Sequence, residues 1–320
     1  MSAPLLDYTK AIELIKKASS VGVVVHVRPD GDCFGSGVAL CAALRSMGKK
    51  ADLYSDDPVP SRLAFLTEGY LTQSEGFGSQ ELLIAVDCGD LGRVGSFGSV
   101  FTKHKNTLQL DHHLTNDRFA KVNYVCDYAS NCEQIYELLV QMGLPLTKEI
   151  ALPLYVGVIS DTGNFMNGNT DEHSFSTAAA LRAVTGDNSE VVRSLFRENA
   201  RERFLLLGLA LKNARFYFDG KLCIITVRAE DFQKSGASTD QTEGFVDYAV
   251  NVTGTEIGIC MMESGKNTFR VSLRSRQGYD VSEVATYFGG GGHIQAAGCT
   301  VCGFYEDVVD RVVRQIGFLF

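Results

Sequence analysis

Three short apolar runs each end on side chains that bind cations or move protons, and this repetition limits what the chain can become. Val21–Val25 runs into His26, Asp30 and Asp32; Leu82–Val86 runs into Asp87 and Asp90; Thr107–Leu110 runs into Asp111, His112 and His113, with Asn116 just beyond. Short apolar runs bounded by turn signals read as strands. An amphipathic segment, Val38–Met47, follows the first run, and another short strand, Lys50–Ser55, follows that. Strand, helix, strand predicts a parallel sheet, and in open α/β sheets the ligand crevice lies at the carboxyl ends of the strands. Polar clusters at three such ends therefore predict one shared site, with Asp87 facing His26 and Asp30.

Within HVRPDGDCFGSG, Pro29 and Gly31 are expected to hold the turn out of helix, so that His26, Asp30 and Asp32 converge at a strand end. A neutral imidazole with two carboxylates suits a divalent cation such as Mn²⁺, and a second cation fits once further His and Asp residues arrive. Taken alone, the same turn has a second reading as an Asp-capped helix start beside an ordinary histidine. The later clusters favour the cation. Glu133–Met142 and Leu152–Ile159 read as helices, with Pro153 near the start of the second. That second helix leads into Asp161, which is either a further ligand or a helix-end residue.

Composition narrows the partners. A formal net charge of −8 argues against tracking long nucleic acid, which needs many Lys and Arg contacts to phosphates, but suits a small anion held through metals. Nine cysteines without a paired framework read as reduced thiols, and Cys299 and Cys302 as strand residues. There is no signal-like apolar core near the first residues and no apolar run of about 18 residues, so a soluble, cytoplasmic protein with no membrane partner is expected.

The 320 residues suffice for two domains. We place the first at 1–185, opening with a helix over Leu5–Ala18, and the second at 214–320. A helical linker at 186–213 joins them, with Arg193, Arg197 and Arg201 along one solvated face. In the second domain Leu222–Val227, Glu256–Met262 and Thr268–Leu273 read as strands. Arg274, Ser275 and Arg276, with Lys266 and Arg270 upstream, form a basic cluster that either holds a phosphate or protects a sheet edge. Gly289, Gly290, Gly291 and Gly292 then precede His293. Consecutive glycines let backbone approach a ligand and point N–H groups at an anion. The small residues through Gly298 predict a tightly packed helix start at that place.

With Asp111-His112-His113 in the first domain and GGGHIQAAG in the second, the chain resembles the DHH phosphoesterase superfamily with its DHH-associated C-terminal domain. Within that superfamily it is similar to the short two-domain members of the NrnA-type nanoRNase and pAp phosphatase group. The resemblance runs from Val21 to Gly298, with four consecutive glycines where the family motif needs three. It implies a parallel-sheet catalytic domain, a smaller α/β domain with a mixed sheet, and an active site in the cleft between the domains. It further implies two Mn²⁺ ions, with Mg²⁺ or Co²⁺ as alternatives. One ion would sit on His26, Asp30 and Asp87, the other on Asp32, Asp87, His112 and Asp161, and Asp111 would orient the histidine next to it. His113 would face the phosphate as a catalytic group together with Asp111 and His293. Arg274, Ser275, Gly290, Gly291, Gly292 and His293 would bind substrate. The implied activity is hydrolysis of short RNA to mononucleotides, with removal of the 3′-phosphate of pAp. Action on cyclic di-AMP or pApA is the alternative, and a nucleotide sensor without catalysis stands further off. A homodimer is compatible with this reading.

Overall fold

The computed structural model describes residues 6–72 and 76–320, which form two compact units, Met1–Arg197 and Glu198–Phe320. Leu5, the first residue of the expected N-terminal helix, lies outside the described residues.

The first unit contains, in order, α1 (Thr9–Lys17), β1 (Ser20–Val24), α2 (Gly31–Ser46), β2 (Lys50–Tyr54), α3 (Ala64–Thr67), β3 (Leu82–Val86), α4 (Gly98–Lys103), β4 (Thr107–Asp111) and β5 (Val122–Val125). The helices α5 (Asn131–Gln141), α6 (Lys148–Asp161), α7 (Glu172–Thr185) and α8 (Ser189–Phe196) complete it. Its sheet has the order β2-β1-β3-β4-β5 with every pair parallel. The order reverses between β1 and β3, and that switch point is where side chains at strand ends share a crevice. All five residues of β3 are buried because both faces are covered. Leu82, Ile84 and Val86 join the larger core beneath α1, α2, α5, α6 and α7, while Leu83 and Ala85 pack with Tyr54, Phe97 and Phe101 on the other face.

The helix after β1 begins earlier than expected. Asp30 is its N-cap and accepts from the backbone N–H groups of Asp32 and Cys33, so Gly31 opens α2 instead of holding the turn out of helix. The capping reading of the turn thus applies to Asp30. Gly31 is needed there because a Cβ would stand 2.0 Å from Ser160 Oγ on α6. Farther along the same contact, a Cβ on Gly35 would meet the Pro153 carbonyl at 2.5 Å. Glycines thus seat α2 directly on α6, and this brings the start of one helix to the end of the other. Pro153 lies inside α6 and not near its start, since that helix begins at Lys148.

Residues 186–213 divide between the units. Val191 and Leu195 of α8 pack on the first core, whereas Leu206 and Ala210 of α9 (Arg201–Lys212) belong to a core of the second. The helix breaks at Arg197, whose φ of −125° ends α8, so Arg193, Arg197 and Arg201 do not lie on one helical face.

After α9 the second unit runs β6 (Arg215–Tyr217), β7 (Leu222–Val227), α10 (Ala229–Ser235), α11 (Phe245–Val250), β8 (Ile257–Gly265) and β9 (Thr268–Ser275). It ends with α12 (Val281–Tyr287), β10 (Gly291–His293), β11 (Ala296–Cys302) and α13 (Tyr305–Ile316). Its sheet is mixed, in the order β10-β11-β9-β8-β7-β6, with β7 and β8 parallel and the other pairs antiparallel. The glycine run does not start a helix. It forms a hairpin strand, because a Cβ on Gly290 would stand 2.2 Å from the Gly298 carbonyl and one on Gly292 2.5 Å from that of Ala296. Here the glycines serve close backbone packing between strands.

Candidate metal centre

Asp87 stands at the middle of the first unit's polar cluster. It follows β3 with φ of +57°, a left-handed conformation uncommon for a residue with a side chain. His26 Nε2 lies 3.3 Å from Asp87 Oδ2, and His112 Nε2 lies 3.3 Å from Asp87 Oδ1. Each carboxylate oxygen thus serves a different histidine. On the first side His26 Nε2 is 3.7 Å from Asp30 Oδ2. On the second, His112 Nε2 is 3.8 Å from Asp32 Oδ2 and 3.4 Å from Asp161 Oδ2. All six residues expected as ligands therefore come together at the sheet switch point.

The outer nitrogens of both histidines are occupied, which leaves each Nε2 facing the carboxylates. His26 Nδ1 lies 2.9 Å from the Val27 carbonyl oxygen, and His112 Nδ1 lies 3.0 Å from that of Tyr128. Backbone carbonyls accept at Nδ1, so in the neutral ring the lone pair is left on Nε2, free for a cation. Asp32 is wholly buried and accepts from the backbone N–H groups of Asn131 and Cys132 at the start of α5, at 2.6 and 2.9 Å. Gly157 makes room for it, since a Cβ there would stand 2.8 Å from Asp32 Oδ1 and 2.1 Å from Cys132 Sγ.

Asp111 does not orient the adjacent His112, whose Nδ1 is taken by Tyr128. It bonds instead to His113, accepting from the backbone N–H at 3.1 Å and lying 2.9 Å from Nδ1. Asn116 donates to Asp111 as well. The side chain of His113 is 40 % exposed, against 13 % for His112, so its outer edge is open to a ligand.

Electrostatics favour a cation here. Burial, then the charge of Asp87, pushes the Asp32 carboxyl up to about 7, and burial with the charges of Asp32 and Asp87 lifts Asp161 well above the carboxylate range. Burial alone would pull His112 down, yet its hydrogen bond to Asp87 and the charges of Asp32, Asp87 and Asp161 raise it to about 11. Burial would likewise raise Asp87, but His112 and His26 hold it well below the usual range. Carboxylates packed this closely need positive charge among them to ionise together. Asp87 Oδ1 is also buried, with His112 Nε2 at 3.3 Å as its near neighbour, and a buried carboxylate oxygen is costly unless something charged meets it. The donor set, imidazole nitrogens with carboxylate oxygens, fits divalent cations. Overlapping sets of candidate ligand atoms, His26 with Cys33 and Asp87, Asp87 with His112 and His113, and Asp32 with His112 and Asp161, each lie within 4.8 Å of one another.

Sequence reasoning passed over several residues around this centre. The Tyr128 ring stacks on His173 with centroids 4.6 Å apart and planes 4° off parallel. His173 Nδ1 is 2.9 Å from Glu133 Oε2, and its Nε2 is 3.2 Å from Glu137 Oε1. Ser130 caps α5 by accepting from the Glu133 N–H, but no local signal joins that helix to position 173.

In the second unit the register aligns Arg274 with Ala296 and Ala296 with His293. Directly paired residues point to one face, so Arg274 and His293 share a sheet face with Ala296 between them. Arg274 Nε is 3.7 Å from Asp247 Oδ1. Ser275 donates its hydroxyl to the Tyr279 carbonyl, and its N–H to that of Gln295. The Ser275 hydroxyl thus already serves the turn that follows it. Gly290 and Gly292 pack closely against β11, while a Cβ on Gly291 would meet open space.

Residues 20–158 match the model of the DHH family, N-terminal domain, and residues 219–317 match that of the DHHA1 domain. A bifunctional oligoribonuclease and PAP phosphatase NrnA from Thermus thermophilus is 31 % identical over 317 residues, covering 97 % of this chain and 93 % of that protein. An exopolyphosphatase-related protein from Bacteroides fragilis has the same fold, with a TM-score of 0.89 at 21 % identity and 99 % of both chains covered. The exonuclease RecJ, in a structure with manganese bound, shares the fold with a TM-score of 0.56 at 16 % identity, covering 97 % of this chain and 94 % of that one. Among the described residues, no helix is long and apolar enough to cross a membrane.

Proposed function

The chain belongs to the DHH family, its DHH domain followed by a DHHA1 domain, and from that premise we propose that it hydrolyses short RNA oligonucleotides to mononucleotides and removes the 3′-phosphate of pAp. The observation that carries this reading is the division of Asp87, one carboxylate oxygen toward His26 and the other toward His112. Such a carboxylate serves two cation positions at once.

In this reading His26, Asp30 and Asp87 hold one ion, and Asp32, Asp87, His112 and Asp161 the other, with Mn²⁺ as the ion in each place. Bound there, the cations would supply Lewis acidity and offset the negative charge on the phosphoryl oxygens during in-line attack by water. The chain's own groups do the rest. Asp32, held by two main-chain N–H groups, keeps one wall of the centre fixed. His113 carries a proton readily, because its hydrogen bond to Asp111 lifts it above the ordinary imidazole range. Its exposed edge can donate to a phosphoryl oxygen or to the leaving 3′-oxygen. In the second unit Arg274 and His293, on one sheet face, bind the substrate's phosphates, and the N–H groups of Gly290, Gly291 and Gly292 add to that surface. Ser275 contributes through the turn it fixes.

The test is a Mn²⁺-dependent time course on pApA, a five-residue RNA, a twenty-residue RNA, pAp and cyclic di-AMP, with Asp87→Asn run beside it. Fast conversion of the two short RNAs and of pAp, with the long RNA and cyclic di-AMP nearly untouched, is expected. Preference for cyclic di-AMP would move the protein to turnover of that messenger. Inertness toward every substrate would reject the enzymatic reading in favour of a sensor.

A further inference from the structure

The first turn of α2 brings a sulfur atom to the cation centre. Cys33 is wholly buried, and its Sγ, a ring nitrogen of His26 and a carboxylate oxygen of Asp87 lie within 4.8 Å of one another. The sulfur is fixed from two directions. Cys33 donates its own N–H to Asp30 Oδ1 at 3.0 Å, and its Sγ accepts the N–H of His26 at 3.3 Å. The neighbouring thiols behave differently: Cys88 and Cys132 donate S–H to the carbonyls of Val86 and Asp32, at 3.3 and 3.5 Å. Asp87, 2 % exposed, turns its Oδ2 to the same His26 ring at 3.3 Å.

His26, Asp30 and Asp87 alone make a nitrogen and oxygen set suited to Mn²⁺ or Mg²⁺. A thiolate shifts such a set toward borderline-soft ions. We propose that Cys33 Sγ is a direct ligand of a borderline-soft divalent cation, Co²⁺ or Zn²⁺, bound at the His26 and Asp87 position. This rests on the two-cation reading above. When the metal–sulfur bond forms, the S–H bond breaks and its proton leaves to solvent, so one proton is released for each ion that takes the sulfur.

The experiment uses the full chain stripped of metal and titrated with Co²⁺, followed by visible and near-ultraviolet absorption, for the parent, Cys33→Ser and Cys33→Ala. We expect weak visible d–d bands in all three, and an intense near-ultraviolet sulfur-to-Co²⁺ charge-transfer band in the parent alone. The Co²⁺ to Mn²⁺ affinity ratio should fall at least about tenfold in both variants. A sulfur that only buttressed His26 would weaken both ions alike. Parent d–d bands without charge transfer would overturn the proposal and leave the two-cation reading standing. Charge transfer that survives in Cys33→Ala would assign it to another thiol and also overturn it. Absence of d–d bands in the parent would reject both readings together. Cys33→Ser and Cys33→Ala each remove the thiol, so either one that folds assigns the parent's charge-transfer band to Cys33 or to another sulfur.

Discussion

The carbonyl oxygen of Tyr128 stands 3.0 Å from His112 Nδ1, so the direction of His112 Nε2 depends on a residue that reaches none of the candidate ligands with its side chain. The Tyr128 ring is in turn stacked on His173, which is tied to the buried Glu133. Partners of this kind orient a ligating imidazole and typically change metal affinity about 10–100-fold when lost. Tyr128→Ala keeps that carbonyl but removes the ring that fixes it, so Mn²⁺ binding should weaken by up to about tenfold with the fold retained. Titration followed by electron paramagnetic resonance, beside a far-ultraviolet circular dichroism spectrum, measures this. Unchanged affinity would separate the stack from the centre.

His173 also makes stability depend on pH. Its hydrogen bond to Glu133 is the leading cause of a pKa raised to about 9, with burial opposing and Glu137 assisting. Glu133 and Glu137 on α5 and the Tyr128 ring are the groups that face it, and its side chain is 27 % exposed. A folded pKa above the unfolded value near 6.5 means the stabilisation is fully present below about 6.5 and fades as pH rises through about 9. After discounting for solvent screening this amounts to about 1–2 kcal/mol. Thermal melts of the metal-free protein at pH 6 and pH 9.5 should show the parent losing this margin over His173→Gln. Parallel pH curves for the two proteins would refute it.

The glycine hairpin gives a contrast between neighbouring positions. A methyl on Gly290 would collide with the Gly298 carbonyl and with Cys299, all of it backbone or tightly packed strand. Overpacking of this kind costs about 1–3 kcal/mol, so Gly290→Ala should lower the melting temperature of the second unit. Gly291 has open space in front of it. Gly291→Ala should leave the melt unchanged and raise KM for pAp and short RNA, because the methyl intrudes on the surface proposed for phosphate. Equal melts for the two variants would contradict the packing account, and an unchanged KM in Gly291→Ala would contradict the binding role.

What was legible in the sequence was whatever the chain states locally. An apolar run that ends on Asp or His says that the side chain stands at a strand end, and a parallel sheet then gathers such ends at its switch point. His26, Asp87 and His112 were placed together in this way, although they come from three separate segments, whereas Asp161, at the end of a helix, joined them only through the family resemblance. Contacts between helices left no such trace. Gly31 reads as a turn residue until Ser160 is seen behind it, and Arg193, Arg197 and Arg201 keep a helical spacing across a break. The glycine run and the small residues after it read as a helix start, and only pairing with β11 made the place a strand. Tyr128 and His173 matter through a stack of rings far apart in sequence, which periodicity does not report.

Asp111 and Asp87 are both buried carboxylates at the ends of neighbouring strands, and they should fail in different ways. Asp87 offers its two oxygens to His26 and His112, so Asp87→Asn removes charge from both cation positions, and both Mn²⁺ uptake and turnover should be lost. Asp111 lies one step away. Its oxygens engage the His113 ring and backbone and the Asn116 amide, and none of the distances that define the ligand cluster involves it. Asp111→Asn should therefore leave Mn²⁺ affinity near that of the parent. It should also lower the pKa of His113, because the hydrogen bond to Asp111 is the leading cause of the raised value. A positioned proton donor contributes about 10²–10⁴-fold, so kcat should fall within that range, and the basic limb of the pH profile should move to lower pH. Metal titration and pH–rate profiles on the same two variants decide the matter. Loss of Mn²⁺ from Asp111→Asn would make that residue a structural support of the centre, whereas a fall in kcat with Mn²⁺ retained would assign its effect to the proton on His113.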